Sequence, residues 1–298
     1  MSRLPVRLLL ASVAIGCVAG ITWSVFGSMS LLHGIIASPM AIPEDGTVAN
    51  GRYTNKYFDL SFSLPEGLIA GPAGPEPSET GYYSLTSLVP EGEPGGAILI
   101  AAQDMFFAPR PRSDIAAEAG DFRNAMARID GMTIDQEPSE ANIAGHLMQR
   151  IDFSGVGLYR ATFVTEIRCH FVSFNLTARS PELLANLART LSNLSAAAET
   201  AASPSAPLCV RDYAVSENIL QRIEPAVVGP RFTSIPVRIV IDREGSVKHI
   251  HVIHASDEQR RSVEEALRSW KFKPPRVDGR AVEIESGLIF RFTSEQKS

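Results

Sequence analysis

Val237-Arg238-Ile239-Val240-Ile241-Asp242-Arg243-Glu244-Gly245 and, downstream, Trp270-Lys271-Phe272-Lys273-Pro274-Pro275 carry the most structural information in this chain. Val237, Ile239 and Ile241 alternate with Arg238, Val240 and Asp242, which predicts a strand with one buried face. Pro236 has no N–H to give a ladder, so it belongs at the strand's start or on an edge. Asp242–Gly245 predicts a hairpin connection with glycine at the left-handed position, and Val247, Ile250 and Val252 continue on the returning strand. Ser256 and Gln259 form a capping box, after which Val263, Ala266, Leu267 and Trp270 fall on one helical face. Pro274-Pro275 stops that helix. Val282, Ile284, Leu288, Phe290 and Phe292 then share the parity of a closing strand, which Ser286-Gly287 interrupts as a bulge or bend does. Upstream, Ser216–Arg222 predicts one or two helical turns.

Working outward, 298 residues suit two domains after an anchor. Residues 51–209 carry a net charge of −7 and residues 210–298 one of +2. Neither has the dense Lys/Arg face that nucleic acid demands. The first 50 residues hold Arg3 and Arg7, then nothing ionised until Glu44. Leu8–Phe26 is apolar or small, and 19 residues at helical rise span about 28 Å, close to the thickness of bilayer hydrocarbon. The expectation is a cytoplasmic tail (1–7), a transmembrane anchor (8–27) and a linker (28–50), in a single-pass inner-membrane protein with its bulk in the periplasm. A signal peptide cut near Cys17-Val18-Ala19, or a lipoprotein at Cys17, stays open; each exports the same residues.

Residues 51–194 predict an α+β domain. Phe58, Leu60, Phe62 and Leu64 alternate before Pro65 and Gly67; Tyr82–Val89, Ala97–Ala102, Leu147–Phe153, Tyr159–Glu166 and Cys169–Thr177 read as further strands. Ser113–Ile129 reads as a helix capped by Ser113, with Ile115, Ala119, Phe122, Met126 and Ile129 on one stripe. Ser180-Pro181-Glu182 opens a second helix, with Leu183, Leu184, Leu187 and Leu191 facing the core. This order implies an antiparallel sheet with helices packed on it. The Ala/Ser/Pro-rich stretch 195–209 reads as a flexible linker to residues 210–298.

Two resemblances follow from these residues. The opening Asn55–Gly67 pattern and the closing Leu-rich helix resemble the PsbP-like domains of bacterial envelope proteins, which carry no fixed activity. Glu224-Pro225, the Val237–Asp242 strand with Glu244-Gly245, Trp270-Lys271-Phe272-Lys273-Pro274 and Gly279-Arg280 resemble the TonB C-terminal domain, over residues 216–293. In that resemblance Pro225, Gly245, Trp270, Phe272, Pro274 and Gly279 are structural anchors of a small ββαβ fold. The resemblance implies β-strand addition, in which an extended segment of an outer-membrane transporter pairs with a sheet edge. The edge expected is the last strand, with Ile284, Leu288, Ile289, Phe290, Arg291 and Phe292. It further implies an inner-membrane proton-driven motor complex as a partner, energy-dependent transport, and a homodimer through the C-terminal domain. The membrane His/Ser pair and the long Pro-Lys/Pro-Glu spacer of that family are missing: His33 lies beyond the span, and a folded domain occupies the spacer's place. An envelope scaffold without energy coupling is the alternative.

No nucleophile–base pair, phosphate loop or zinc-ligand spacing is present, so neither an enzyme nor a cofactor is expected. His249, His251 and His254 invite a metal, but no acid or cysteine is spaced to complete the site, and they read as an exposed polar face. His146 and His170 read as isolated strand-surface residues. Cys169 and Cys209, on the exported side, are either a disulfide or two unpaired thiols.

Overall fold

Short left-handed turns and long alternating strands organise residues 41–292. The structure is a computed structural model and describes residues 41–92, 96–109, 114–196, 207–226 and 232–292. The anchor expected over 8–27 lies outside the described residues, as do Cys17 and His33. No helix among the described residues is long and apolar enough to cross a membrane. The architecture is mixed α+β, rich in sheet.

The first half begins with β1 (Gly46–Ala49), β2 (Arg52–Asn55) and β3 (Leu60–Ser63), a small antiparallel sheet. There follow β4 (Leu68–Ala70), β5 (Tyr82–Pro90), β6 (Ala97–Asp104), α1 (Ile115–Met126), β7 (Met132–Ile143), β8 (His146–Gly155), β9 (Leu158–Ile167), β10 (His170–Ala178), α2 (Pro181–Thr190) and β11 (Leu194–Ala196). A seven-stranded sheet runs β4-β5-β6-β10-β9-β8-β7, and β11 returns to pair with β3. Phe58, Leu60, Phe62, Ile98, Ile100, Phe174, Leu176, Leu184 and Leu187 form one core. Ile151, Phe153 and Ala119 make a smaller one under α1.

Several expectations shift here. Asp114, not Ser113, caps α1 by accepting the Ala117 N–H, and Ile129 falls past the helix end, about half exposed. β7 is a strand that periodicity did not reveal: it is an edge strand with polar residues on both faces and two irregularities in its register with β8. Ser180 caps α2, with Pro181 in its first turn.

The second half holds β12 (Leu208–Cys209), β13 (Ile219–Gln221), β14 (Ser234–Ile241), β15 (Val247–Val252), α3 (Asp257–Arg268), β16 (Lys271–Phe272), β17 (Arg276–Val277), β18 (Arg280–Ala281) and β19 (Ile284–Arg291). The main sheet runs β12-β19-β14-β15, antiparallel except for β12 on β19. The stretch expected as a linker over 195–209 thus begins and ends in paired strands. Where one or two helical turns were expected over 216–222, a single 3-10 turn (Ser216–Asn218) leads into β13.

Candidate partner-binding edge

The sheet of the second half is built on β14, whose residues from Ile235 to Ile241 are all buried. Ile235, Val237, Ile239 and Ile241 point to α3, where Val263 and Leu267 meet them. The capping box of Ser256 and Gln259 fixes the start of α3. Trp270 closes its end: the indole is 2% exposed, donates Nε1–H to the Ile223 carbonyl at 2.8 Å, and meets the ring of Phe290 at 5.7 Å. Phe272 is buried beside it. Gly245 is needed twice over: its φ is +83°, and a Cβ there would collide with the Phe272 carbonyl. Gly279, at φ +77°, turns β17 into β18. Pro274 is exposed and Pro225 half-buried, so these two limit the chain's path rather than fill the core.

The hydrogen-bonding parity of β19 identifies its open side. The Phe292 N–H donates to the Thr233 carbonyl, so even positions face β14. The Leu208 and Val210 N–H groups donate to the Glu283 and Glu285 carbonyls, so odd positions face outward. Gly287, Ile289 and Arg291 continue that outward row, and no named strand lies beside them among the described residues. Of the residues expected at the edge, Ile284 and Phe290 are buried, Leu288 and Phe292 partly buried, and Ile289 and Arg291 exposed. The open edge is therefore shorter than the strand, because β12 pairs with Ile284 and Glu285.

Pro236 sits third in a central strand, yet its missing N–H costs nothing. Its carbonyl accepts from Ile253, so Pro236 faces the β15 side just beyond Val252, where that strand ends.

The other face of the sheet holds charge. Arg238 is 2% exposed; Nη1 donates to Asp104 Oδ2 at 2.6 Å and Nε to Glu285 Oε1 at 3.1 Å, and the guanidinium lies 4.6 Å from the Phe106 ring centre. Tyr57 Oη donates to the same Glu285 oxygen at 3.2 Å. His170, fully buried, holds Nδ1 2.7 Å from the Arg168 carbonyl. A carbonyl can only accept, so Nδ1 carries the proton and Nε2 turns its lone pair to Arg238, 3.5 Å away. Burial drives His170 well below the usual imidazole range, and the Arg238 charge adds to it. Burial likewise raises the Asp104 carboxyl, against the pull of Arg238. Burial alone would make Arg238 less basic, but Asp104, Tyr57 and Glu285 together hold it firmly charged.

Asp104, Phe106, Tyr57 and His170 belong to the first half, Arg238 and Glu285 to the second. The cluster is thus a joint, and a disulfide between Cys169 and Cys209 (Cα separation 5.9 Å) lies beside it. His170 is not the strand-surface residue expected, since this joint buries it. Nor do the downstream histidines form an exposed polar face: His251 Nε2 lies 3.2 Å from Glu44 Oε1, and His254 Nδ1 lies 2.9 Å from the Pro77 carbonyl. Among the described residues no group of three His, Cys, Asp or Glu is placed to hold a metal.

Residues 233–293 match the family model of the Gram-negative bacterial TonB protein C-terminal region. No curated protein matches the chain. Among solved structures the chain is similar to cyanobacterial PsbP from Synechocystis, at 14% identity over 51% of this chain and 96% of that one, with a TM-score of 0.36. It is also similar to the TonB C-terminal domain of Pseudomonas aeruginosa, at 24% identity over 27% of this chain and 88% of that one, with a TM-score of 0.22. The β14–β15–α3–β19 unit, with Trp270 beneath its last strand, is accordingly the part of the chain that matches the TonB C-terminal family model, over residues 233–293.

Proposed function

We propose that this chain is an inner-membrane-anchored envelope protein, not an enzyme, whose C-terminal domain takes up an extended segment of an outer-membrane transporter by β-strand addition. The outward row of Gly287, Ile289 and Arg291 is the observation that carries this reading. An open sheet edge is an aggregation hazard that proteins normally cover, and this one exposes an isoleucine, 44% accessible, beside it. The family match over 233–293 supports the class of partner.

The test is capture of outer-membrane transporters from an outer-membrane fraction by the full chain in detergent. Ile289→Pro removes an outward N–H and leaves the β14 ladder intact. We expect it to abolish capture while the fold persists. Equal capture by wild type and variant, or no transporter captured by either, would overturn the reading. A second reading, a scaffold without energy coupling, is favoured by the buried joint and disulfide that tie the domain to the first half. The two part on whether uptake fails in cells lacking the protein while the proton gradient is intact.

A further inference from the structure

The open edge of β19 stops where β12 begins. The chain just past β12 is pinned, with the Arg211 carbonyl accepting from Ser286 Oγ and Arg211 Nη2 donating to the Met105 carbonyl. What fixes the two residues of β12 upstream of that pin is a short ladder and one covalent bond. Its two residues make a short parallel ladder in which the Leu208 and Val210 N–H groups donate to Glu283 and Glu285, each at 2.9 Å. The same register puts the Glu285 N–H on the Leu208 carbonyl. Each such bond contributes little net stability, because it replaces a bond to water. Leu208 is 43% exposed and buries little. Cys209, however, is tied to Cys169, which is 2% exposed in the turn between β9 and β10. That turn is itself anchored: the Met105 N–H donates to the Cys169 carbonyl at 3.0 Å, and Arg168 Nη1 donates to the Tyr57 carbonyl at 2.7 Å. The covalent bond therefore fastens the two-residue strand upstream of the Arg211 pin to a rigid support.

We propose that the Cys169–Cys209 disulfide is a latch that keeps β12 on the docking edge, and that a dithiol reductant opens it. This rests on β19 being the partner-binding edge. With β12 released, the outward row grows from Gly287, Ile289 and Arg291 to include Glu283 and Glu285. The chemistry balances as thiol–disulfide exchange. Cys209 is the exposed partner, so a thiolate of the dithiol attacks its Sγ and forms a mixed disulfide. The S–S bond breaks and Cys169 leaves as thiolate, then takes a proton. The second thiol attacks the mixed disulfide, Cys209 is released as a thiol, and the reductant departs as its own disulfide, having given two electrons.

Amide hydrogen exchange on the full chain in detergent tests this without any partner. It compares the oxidised protein, the protein reduced with dithiothreitol, and Cys209→Ser. The expected result is at least a tenfold faster exchange at the Glu285 amide in the last two. The Leu288 and Phe290 amides, which face β14, should not change. Unchanged exchange at Glu285 would overturn the latch. So would equal acceleration along all of β19, because the disulfide would then be holding the domain's fold rather than its edge. Failure here leaves the capture experiment with Ile289→Pro untouched, so the two ideas fail separately.

Discussion

Arg238 faces two carboxylates in a site almost closed to water, and its removal isolates both. A buried ion pair is weak evidence for net stability, but breaking one typically costs about 3–5 kcal/mol because the partner's charge is left uncompensated. Arg238→Met is therefore expected to destabilise the protein by that order, as read from urea unfolding at neutral pH. Asp104→Asn should cost less, since burial already favours the neutral form of that carboxyl. His170 gives the joint a pH dependence. Its folded pKa lies well below the ordinary value of 6.5, so the unfolded chain binds this proton first as pH falls. The stability that neutral His170 contributes is complete above about pH 6.5 and is lost as pH falls from there toward the depressed folded value. One proton gives a slope of about 1.4 kcal/mol per pH unit. Asp104 acts oppositely: its raised folded pKa adds stability as pH falls through the window between that pKa and the ordinary carboxylate value. Stability curves from pH 7.5 to 5.5 should fall for wild type and flatten in His170→Asn; parallel curves would remove His170 as the cause.

At the scale of elements, β19 separates two duties by parity, and neighbouring substitutions should show it. Phe290 packs on Trp270 inside the core, and truncation to alanine should cost about 3–5 kcal/mol. Ile289, on the outward row, should cost less than about 1 kcal/mol in Ile289→Ala while weakening transporter capture. Gly245→Ala places a side chain in a left-handed turn against the Phe272 carbonyl and should destabilise by about 2 kcal/mol or more in the same unfolding assay. Much of this domain was legible in the sequence because its signals are local: the capping box, the glycine hairpin, and the stripe ending at Trp270 all lie within a few residues. What stayed hidden depends on the other half. Arg238 alternates with Val237 and Ile239 as a solvent-facing residue should, and only the arrival of Asp104, Phe106 and His170 on that face makes it a core residue. β12 was illegible for the same reason, as two residues at the end of an Ala/Ser/Pro-rich stretch show no periodicity. The Arg168-Cys169 turn, with φ of +47° and +60°, uses neither glycine nor asparagine, so composition gave no hairpin signal there. β7 alternates only in short runs at its two ends, and the polar stretch Asp135–Glu140 with its irregular register breaks the pattern between them.

For the whole molecule, the question is whether the two halves unfold as one. Domains joined by a flexible linker unfold independently, and the sequence suggests such a linker at 195–209. Three features oppose independence. Ile253, from the C-terminal domain, is 3% exposed and sits in the core of the first half. Arg238 draws its partners from both halves. The disulfide spans a sequence separation of 40 residues, which in the chain-entropy picture restricts the unfolded state by about 4 kcal/mol. The first two couple the halves only in the native state, whereas the disulfide acts chiefly on the unfolded chain. Removing the disulfide alone should thus lower the melting temperature but leave a single calorimetric transition. Removing the Arg238 contacts as well, in reduced Arg238→Met, should split it in two, because Ile253 and the remaining hydrogen bonds between the halves, such as His251–Glu44 and His254–Pro77, hold them more weakly than the Arg238 joint does. Calorimetric and van't Hoff enthalpies that agree for the oxidised protein and diverge for the reduced variant would show this coupling. Two transitions in the oxidised wild type would mean that the joint is only a contact, and that each half keeps its own stability.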